Sequence, residues 1–535
     1  MTSPDRLLAS MTLAQKAGQL LVCEVYGTDP HTPHPKNLEH FGVPTAAQAI
    51  EDLNLGGVVY FRWTDSFDQG PQQLARLSNG LQQAALGSGA GVGLMVTTDQ
   101  EQGPSSRFGP PATQFPGAMA LGATGDLDAA RRASAITGAE LAAVGINLDF
   151  APDADVNVNP ANPVIGVRSF GSDPARVARF VASQVDGYQR DAGITACVKH
   201  FPGHGDTATD SHTGLPSIAH TGQQWEQTDL PPFRAAIDAG VDMVMSAHIR
   251  FPALEPSGEP ATLSHRILTG LLRERLGFPG VIITDSLEMA GVRQSHPDAE
   301  VPVLALAAGA DMILMPPDPR LARDAIVAAV ESGRLSPGEL DAKVLRVLEL
   351  KARRGMLQPA PADPDVVLET VGRPDSSALA ADLTRRAVTL VHQGALALPI
   401  APEGLKVHVG GWNQAENLDL VSALSDLLAA VGAVPVADPD QADLVIWFSH
   451  DLAADPDQAR ALNGLAASPG HGPAGLLAVS VGVPYDLWQL PGSITQLAVY
   501  SCAVTVPAAV LGALTDTRGP AGVCPVDLSV WHNRH

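Results

Sequence analysis

One repeat restricts this chain more than any other feature. Short apolar runs at residues 19–25, 56–61, 93–98, 146–150, 195–199, 242–247, 280–284 and 311–315 recur along its first two thirds. They are rich in Val, Ile, Leu and Met and do not alternate with polar residues, as parallel strands buried on both faces should not. Stretches with helical periodicity lie between them, for example 127–143, 174–191, 225–239 and 265–276. Alternation of this kind predicts α/β architecture, a (β/α)8 TIM-type barrel over residues 1–353. A doubly wound open sheet is the alternative, but no Gly-x-Gly-x-x-Gly follows an early strand.

Residues 354–375 carry glycine, several prolines and few apolar runs, and read as a linker. The strand pattern then restarts at 387–392, 406–409, 443–448, 476–481 and 494–500, with helices expected near 418–431 and 507–514. A second, smaller α/β domain is expected over 376–535. A length of 535 residues fits two domains better than one.

Composition narrows the partners. With 45% hydrophobic and 17% charged residues, a large core is possible and global disorder is not. The net charge of -23 argues against a nucleic-acid or anionic-membrane partner, which would call for a basic face. Cys23, Cys197, Cys502 and Cys524 form no Cys-x-x-Cys pair, so neither a disulfide framework nor a zinc knuckle is expected. The N-terminal segment has no basic stretch followed by a sustained apolar run, and no apolar run reaches the roughly 18 residues a membrane helix needs. A cytoplasmic protein is expected.

The polar clusters sit just past the strand ends. Asp99-Gln100-Glu101 follows the third run, Asp153 and Asp155 the fourth, Lys199-His200 ends the fifth, His248 follows the sixth and Asp285 the seventh. In a barrel these ends converge on one face, where active sites are built. The densest cluster runs from Lys199-His200-Phe201-Pro202-Gly203-His204-Gly205-Asp206 to Asp210-Ser211-His212. A carboxylate such as Asp210 can hold the tautomer of His212 and make it a usable acid or base near neutral pH. A solvated polar loop is the plainer reading. Asp285, fixed at a strand end, suits a nucleophile or base, although aspartate also commonly caps the helix that follows it. Ser211 lacks a Gly-x-Ser-x-Gly elbow. His200, His204, Asp206 and His212 can ligate a metal, but their spacing is not His-Glu-x-x-His and Lys199 would oppose a dication. No metal or other cofactor is therefore expected. Asp99, Arg107, Arg168, Lys199 and His200 can supply the carboxylate and cationic groups that grip sugar hydroxyls.

The Lys199–Asp206 motif with Asp210-Ser211-His212 resembles the signature of family-3 glycoside hydrolases, in particular the bacterial β-N-acetylglucosaminidases. Supporting stretches stand in the family's order: Thr98-Asp99-Gln100-Glu101, Asn162 to Phe170, Asp242 to His248, and Ile283-Thr284-Asp285-Ser286-Leu287-Glu288-Met289. The C-terminal half is similar, with weaker motifs, to the α/β sandwich of two-domain members. The resemblance implies that Asp285 is the nucleophile, His212 the acid/base and Asp210 its orienting partner. It implies that Asp99, Arg107, Arg168, Lys199 and His200 bind the sugar, with His248 as an extra contact. Two departures stand out. Gln102-Gly103-Pro104 replaces the two glycines usual after Asp99-Gln100-Glu101, although Arg107 keeps its place eight residues after Asp99. Ser286 replaces an aspartate frequent in single-domain members.

The implied reaction is a retaining double displacement that removes terminal β-linked GlcNAc, with peptidoglycan fragments (muropeptides) as the expected substrates and a monomer as the expected state. A histidine on a Gly/Pro-rich loop is expected to move, the 203–213 loop closing over substrate. Because a neutral imidazole does not repel an anionic acceptor, phosphorolysis is a side reading. Three more readings compete with these: a β-glucosidase or β-xylosidase of the same family, a metal-dependent hydrolase, and a non-catalytic sugar-binding barrel.

Overall fold

The computed structural model describes residues 3–210, 214–293, 296–415, 418–452, 455–467 and 475–531. Eight parallel strands close into a barrel: Leu21–Glu24, Gly57–Tyr60, Met95–Thr98, Leu148–Asp149, Thr195–Phe201, Met243–Ser246, Val281–Ser286 and Met312–Leu314. Each pairs with its neighbour in sequence, and the last returns to the first with Leu21 opposite Ile313 and Val22 opposite Leu314. All eight expected strands are present. Their side chains are buried on both faces, between barrel interior and helix layer, which is why the runs read as continuously apolar.

The helices stand where the periodicity places them, with Gly187–Asp191 and Arg266–Arg275 wound as π-helix and one break in the chain of turns. Leu127–Ala143 starts where the Asp126 carboxylate accepts from the N–H of Ala129 (3.0 Å). The expected helix over 225–239 is instead two, Gly222–Gln227 and Leu230–Asp238, parted at Asp229. Pro231 and Pro232 lack the N–H an uninterrupted helix would use, so they fit only a new first turn.

Residues 354–373 run along the barrel surface. Gly93 N–H donates to the Leu357 carbonyl (3.1 Å), Asn79 exchanges two bonds with the backbone of Ala362 (2.8 Å each), and Gly372 N–H donates to Glu140 (3.0 Å). Val367 and Val371 are buried in the barrel's own core. The helix Pro374–Ala387 leads into a second sheet of six strands in the order Thr389–His392, Thr495–Ala498, Leu476–Ser480, Leu444–Ser449, Lys406–Gly411 and Val434–Pro435. Only the Thr389–His392 edge is antiparallel.

Apolar side chains of both halves share a core. Met119, Ala120 and Ala123 pack with Tyr485, Leu487, Tyr500 and Val526. Tyr485 O–H donates to the Asn157 carbonyl (3.1 Å), Ser172 N–H to the Pro525 carbonyl (3.1 Å), and Arg386 pairs with Asp126 (2.7 Å). The second half is thereby braced against the segment that leaves the fourth barrel strand.

Candidate active site

The C-terminal ends of the barrel strands surround a cavity of about 510 Å³. Asp99, Arg107, Arg168, Lys199, His200, Asp210 and Asp285 all line it. Seven of the nine site residues expected from the sequence thus meet in one place. His212, with Ser211 and Thr213, lies outside the described residues.

His248 does not line the cavity. It is fully buried, its Nε2–H donates to the Ser286 carbonyl (2.9 Å), and its Nδ1 meets Thr262 Oγ1 (2.9 Å). The turn at Ala261–Leu263 supplies that hydroxyl and draws the ring behind the seventh strand. His248 therefore holds the backbone beside Asp285, where a contact to sugar was expected.

Lys199 is the centre of the cationic wall. Its ammonium lies 2.8 Å from Asp99 Oδ1 and 2.6 Å from Glu101 Oε1. Burial pushes Lys199 toward neutrality, but the charges of Asp99 and Glu101 outweigh it and hold the ammonium above the usual lysine range. Arg168 grips both oxygens of Glu101 through Nε and Nη2 (2.8 Å each). Glu101 is buried, which would raise its pKa, yet Arg168 and Lys199 keep it below the usual carboxylate range. Arg107 Nη2 stands 3.6 Å from Asp99 Oδ2. Both gripping cations thus have their charge balanced within the site, and substrate hydroxyls can accept from them without a net charge being buried.

His200 is neutral by its geometry. Arg168 Nη2 donates to His200 Nε2 (3.3 Å), so that nitrogen offers a lone pair, while Nδ1–H points at Asp155 Oδ2 (2.7 Å). Burial and the charge of Arg168 lower the His200 pKa to about 4. Burial raises Asp155 to about 7, against the N–H of His204 (2.6 Å), which donates to its other oxygen. Asp153 Oδ1 accepts from Asp155 N–H (2.8 Å), and its Oδ2 lies 3.5 Å from Arg168. Asp153, Asp155 and His200 place three ligand-type atoms within 4.8 Å of one another. Their local positive charge comes from Arg168.

Asp285 is the penultimate residue of the seventh strand, and its Oδ1 accepts from Ser286 N–H (2.7 Å). Burial disfavours its charged form, but His200, His248, the Ser286 N–H and Lys199 outweigh burial and hold the carboxyl below its usual range. With His200 uncharged at neutral pH, the Ser286 N–H and Lys199 still favour the carboxylate. An ionised carboxylate in a walled cavity is equipped to attack an electrophilic carbon.

The loop after the fifth strand is fixed at its root. The Lys199–His200 and Phe201–Pro202 peptides are cis. Asn162 Nδ2 donates to the His204 carbonyl (2.9 Å), Thr207 Oγ1 meets His204 Nδ1 (2.9 Å), and Gly214 N–H donates to the Asp210 carbonyl (3.0 Å). At the departure noted after Glu101, the chain forms a hairpin, Gln100–Gln102 against Ser105–Ser106. Gln102 adopts a left-handed φ of 73° where a glycine would be at ease, and its amide donates to Thr137 Oγ1 (3.0 Å).

Sequence alone assigns no role to Glu101, Asp153, Asp155 or Glu288. Asp153 and Asp155 carry a usable signal, since residues two apart at a strand end share a face. Glu288 lines the cavity, and burial and the nearby Glu24 charge raise it to about 7.

Known proteins resemble this chain over most of its length. The model of the glycosyl hydrolase family 3 N-terminal domain matches residues 12–350. The β-N-acetylglucosaminidase/β-glucosidase of Cellulomonas fimi is 30% identical over 97% of this chain and 94% of its own length. Beta-hexosaminidase A of Pseudoalteromonas piscicida is 36% identical over 79% of this chain and 75% of its own. The solved structure of a family 3 β-N-acetylglucosaminidase from Paenibacillus sp. str. FPU-7 superposes with a TM-score of 0.86 at 36% identity, covering 97% of this chain and 99% of that one. The protein is a glycoside hydrolase by class. It belongs to glycoside hydrolase family 3.

Proposed function

We propose that this chain is a retaining, exo-acting β-N-acetylglucosaminidase with Asp285 as nucleophile and His212, oriented by Asp210, as acid/base. The observation that supports it most is the shared cavity of Asp285 and Asp210 with the Lys199, Arg168 and His200 grip. The relatives' names, β-hexosaminidase and β-N-acetylglucosaminidase, favour the same substrate. Asp285 attacks the anomeric carbon as His212 gives its proton to the leaving oxygen. His212 then takes a proton from the water that releases the sugar. Lys199, Arg168, Arg107 and Asp99 hold the hydroxyls of the terminal sugar, with His200 completing the wall.

No described helix is long and apolar enough to cross a membrane. We read the enzyme as a cytoplasmic monomer acting on terminal β-linked GlcNAc of muropeptides, through a barrel over 1–353, a linker over 354–375 and a sandwich domain over 376–535. One relative carries a second name, β-glucosidase, so glucosides belong in the test. Hydrolysis of 4-nitrophenyl β-GlcNAc should exceed that of the glucoside and xyloside, and Asp285→Ala should abolish it. Preferred glucoside turnover would overturn the substrate assignment, and an active Asp285→Ala enzyme the mechanism.

A further inference from the structure

His220 stands outside the cavity and has no part in the reaction above, yet it is bonded to the loop that carries Asp210. Its Nε2 lies 3.1 Å from Asp206 Oδ2 and its Nδ1 2.7 Å from Asp229 Oδ2. A carboxylate only accepts, so a ring with a carboxylate on each nitrogen donates from both and is an imidazolium. The two partners belong to different elements. Asp206 is in the loop after the fifth strand, and Asp229 sits at the break between Gly222–Gln227 and Leu230–Asp238.

Three further contacts show what this bridge joins. Trp225 Nε1 donates to the Pro202 carbonyl (2.9 Å), so the same pair of helices also holds the loop's first residues. A side chain at Gly203 would collide with Asp229, which lies directly beneath it. Asp229 is fully buried, and among the described residues its Oδ1 has no hydrogen-bond partner. A buried carboxylate with one unsatisfied oxygen persists where a cation is fixed beside it, and His220 is that cation. The same imidazolium that satisfies Asp229 ties down Asp206. Residues 202–206 are thereby clamped by the helices on one side and by Asp155 and Asn162 on the other.

We propose that His220 is a positioning residue for proton transfer: as an imidazolium joining Asp206 to Asp229, it fixes the root of the loop and so the reach of Asp210 into the cavity. This rests on the acid–base role given to Asp210 and His212 above. The device sets a positive charge against Asp206, at the root of the loop and four residues before Asp210.

Protonation of the leaving group provides the test. Chitobiose has a poor leaving group and depends on the acid, whereas 2,4-dinitrophenyl β-GlcNAc does not. His220→Gln would strand the buried Asp229 charge and so endanger folding, so the decisive variant is Asp206→Ala, which cuts the loop side of the bridge at a partly exposed residue. Asp206→Ala should lower kcat/KM on chitobiose by about 10-fold or more, within the roughly 10²–10⁴ that a positioned acid supplies, and leave the dinitrophenyl substrate within about 2-fold. Asp206→Glu, which keeps the carboxylate, should recover part of the loss. An Asp206→Ala enzyme unchanged on both substrates, or equally impaired on both, overturns the clamp. Asp210→Ala serves as control and should show the same selectivity more strongly. If Asp210→Ala shows no leaving-group dependence, the acid–base reading falls, and the clamp with it.

Discussion

Arg168→Lys is the most telling single substitution, because it keeps the charge and removes the fork. In the native site the guanidinium makes two bonds of 2.8 Å to Glu101, donates to His200 Nε2 (3.3 Å) and faces Asp153 Oδ2 at 3.5 Å. A lysine ammonium is a single point on a flexible stem and cannot span the Glu101 carboxylate and the His200 ring together. It should lose one bond to Glu101, worth about 1.5–3 kcal/mol because it is charged, and the bond to His200, worth about 1 kcal/mol. The sum is about 3 kcal/mol. Part falls on stability, because Glu101 is buried and needs its partners. Part falls on catalysis, because Glu101 also fixes Lys199 (2.6 Å). Thermal unfolding should show a lower midpoint, and kcat/KM on 4-nitrophenyl β-GlcNAc should drop about 10- to 100-fold, each tenfold step being about 1.4 kcal/mol. A lysine variant that matches wild type in both would mean that charge alone matters and that the fork does not organise the wall.

Other outcomes follow from the same contacts. Gly205 lies against the Val156 carbonyl, where an added Cβ would collide with backbone, so Gly205→Ala should cost about 1–3 kcal/mol in urea unfolding. His220 is raised from 6.5 to about 10 by hydrogen bonds to Asp206 and Asp229. A raised pKa of this kind contributes stability that is complete below the unfolded value and lost as pH rises through the folded one. The gap in thermal midpoint between wild type and Asp206→Ala should therefore be full below about pH 6.5, shrink as pH rises and close above about pH 10. In phosphate buffer the product should be GlcNAc; release of GlcNAc-1-phosphate would make phosphate the acceptor.

The barrel is legible in the sequence because parallel strands buried on both faces read as continuous apolar runs, and each of the eight runs overlaps a barrel strand, the fifth and seventh strands extending two residues beyond theirs. What escapes depends on contacts remote in sequence. Val434–Pro435 is an exposed edge strand of two residues, too short to show a strand pattern, and its proline argues against a strand in the sequence. The break at Asp229 is marked by Pro231 and Pro232, but the helical period on both sides masks it. Most of the candidate site is legible from strand ends alone, since the barrel brings such ends together. The true place of His248 is not, because nothing in its own stretch shows that Thr262 draws its ring behind Asp285. Glu101 stays hidden because its value lies in two partners, Arg168 and Lys199, that stand 67 and 98 positions further along the chain.

The contact of Tyr485 with Asn157, and of Pro525 with Ser172, has a consequence for biogenesis. The ribosome finishes the barrel strands long before it reaches residue 485. The stretch from the fourth strand to Ser172 is therefore translated early but receives these struts only after residues 485 and 525 have been made. A nascent barrel can close while its catalytic face still lacks these two contacts. Synthesis order thus separates folding of the scaffold from maturation of the site.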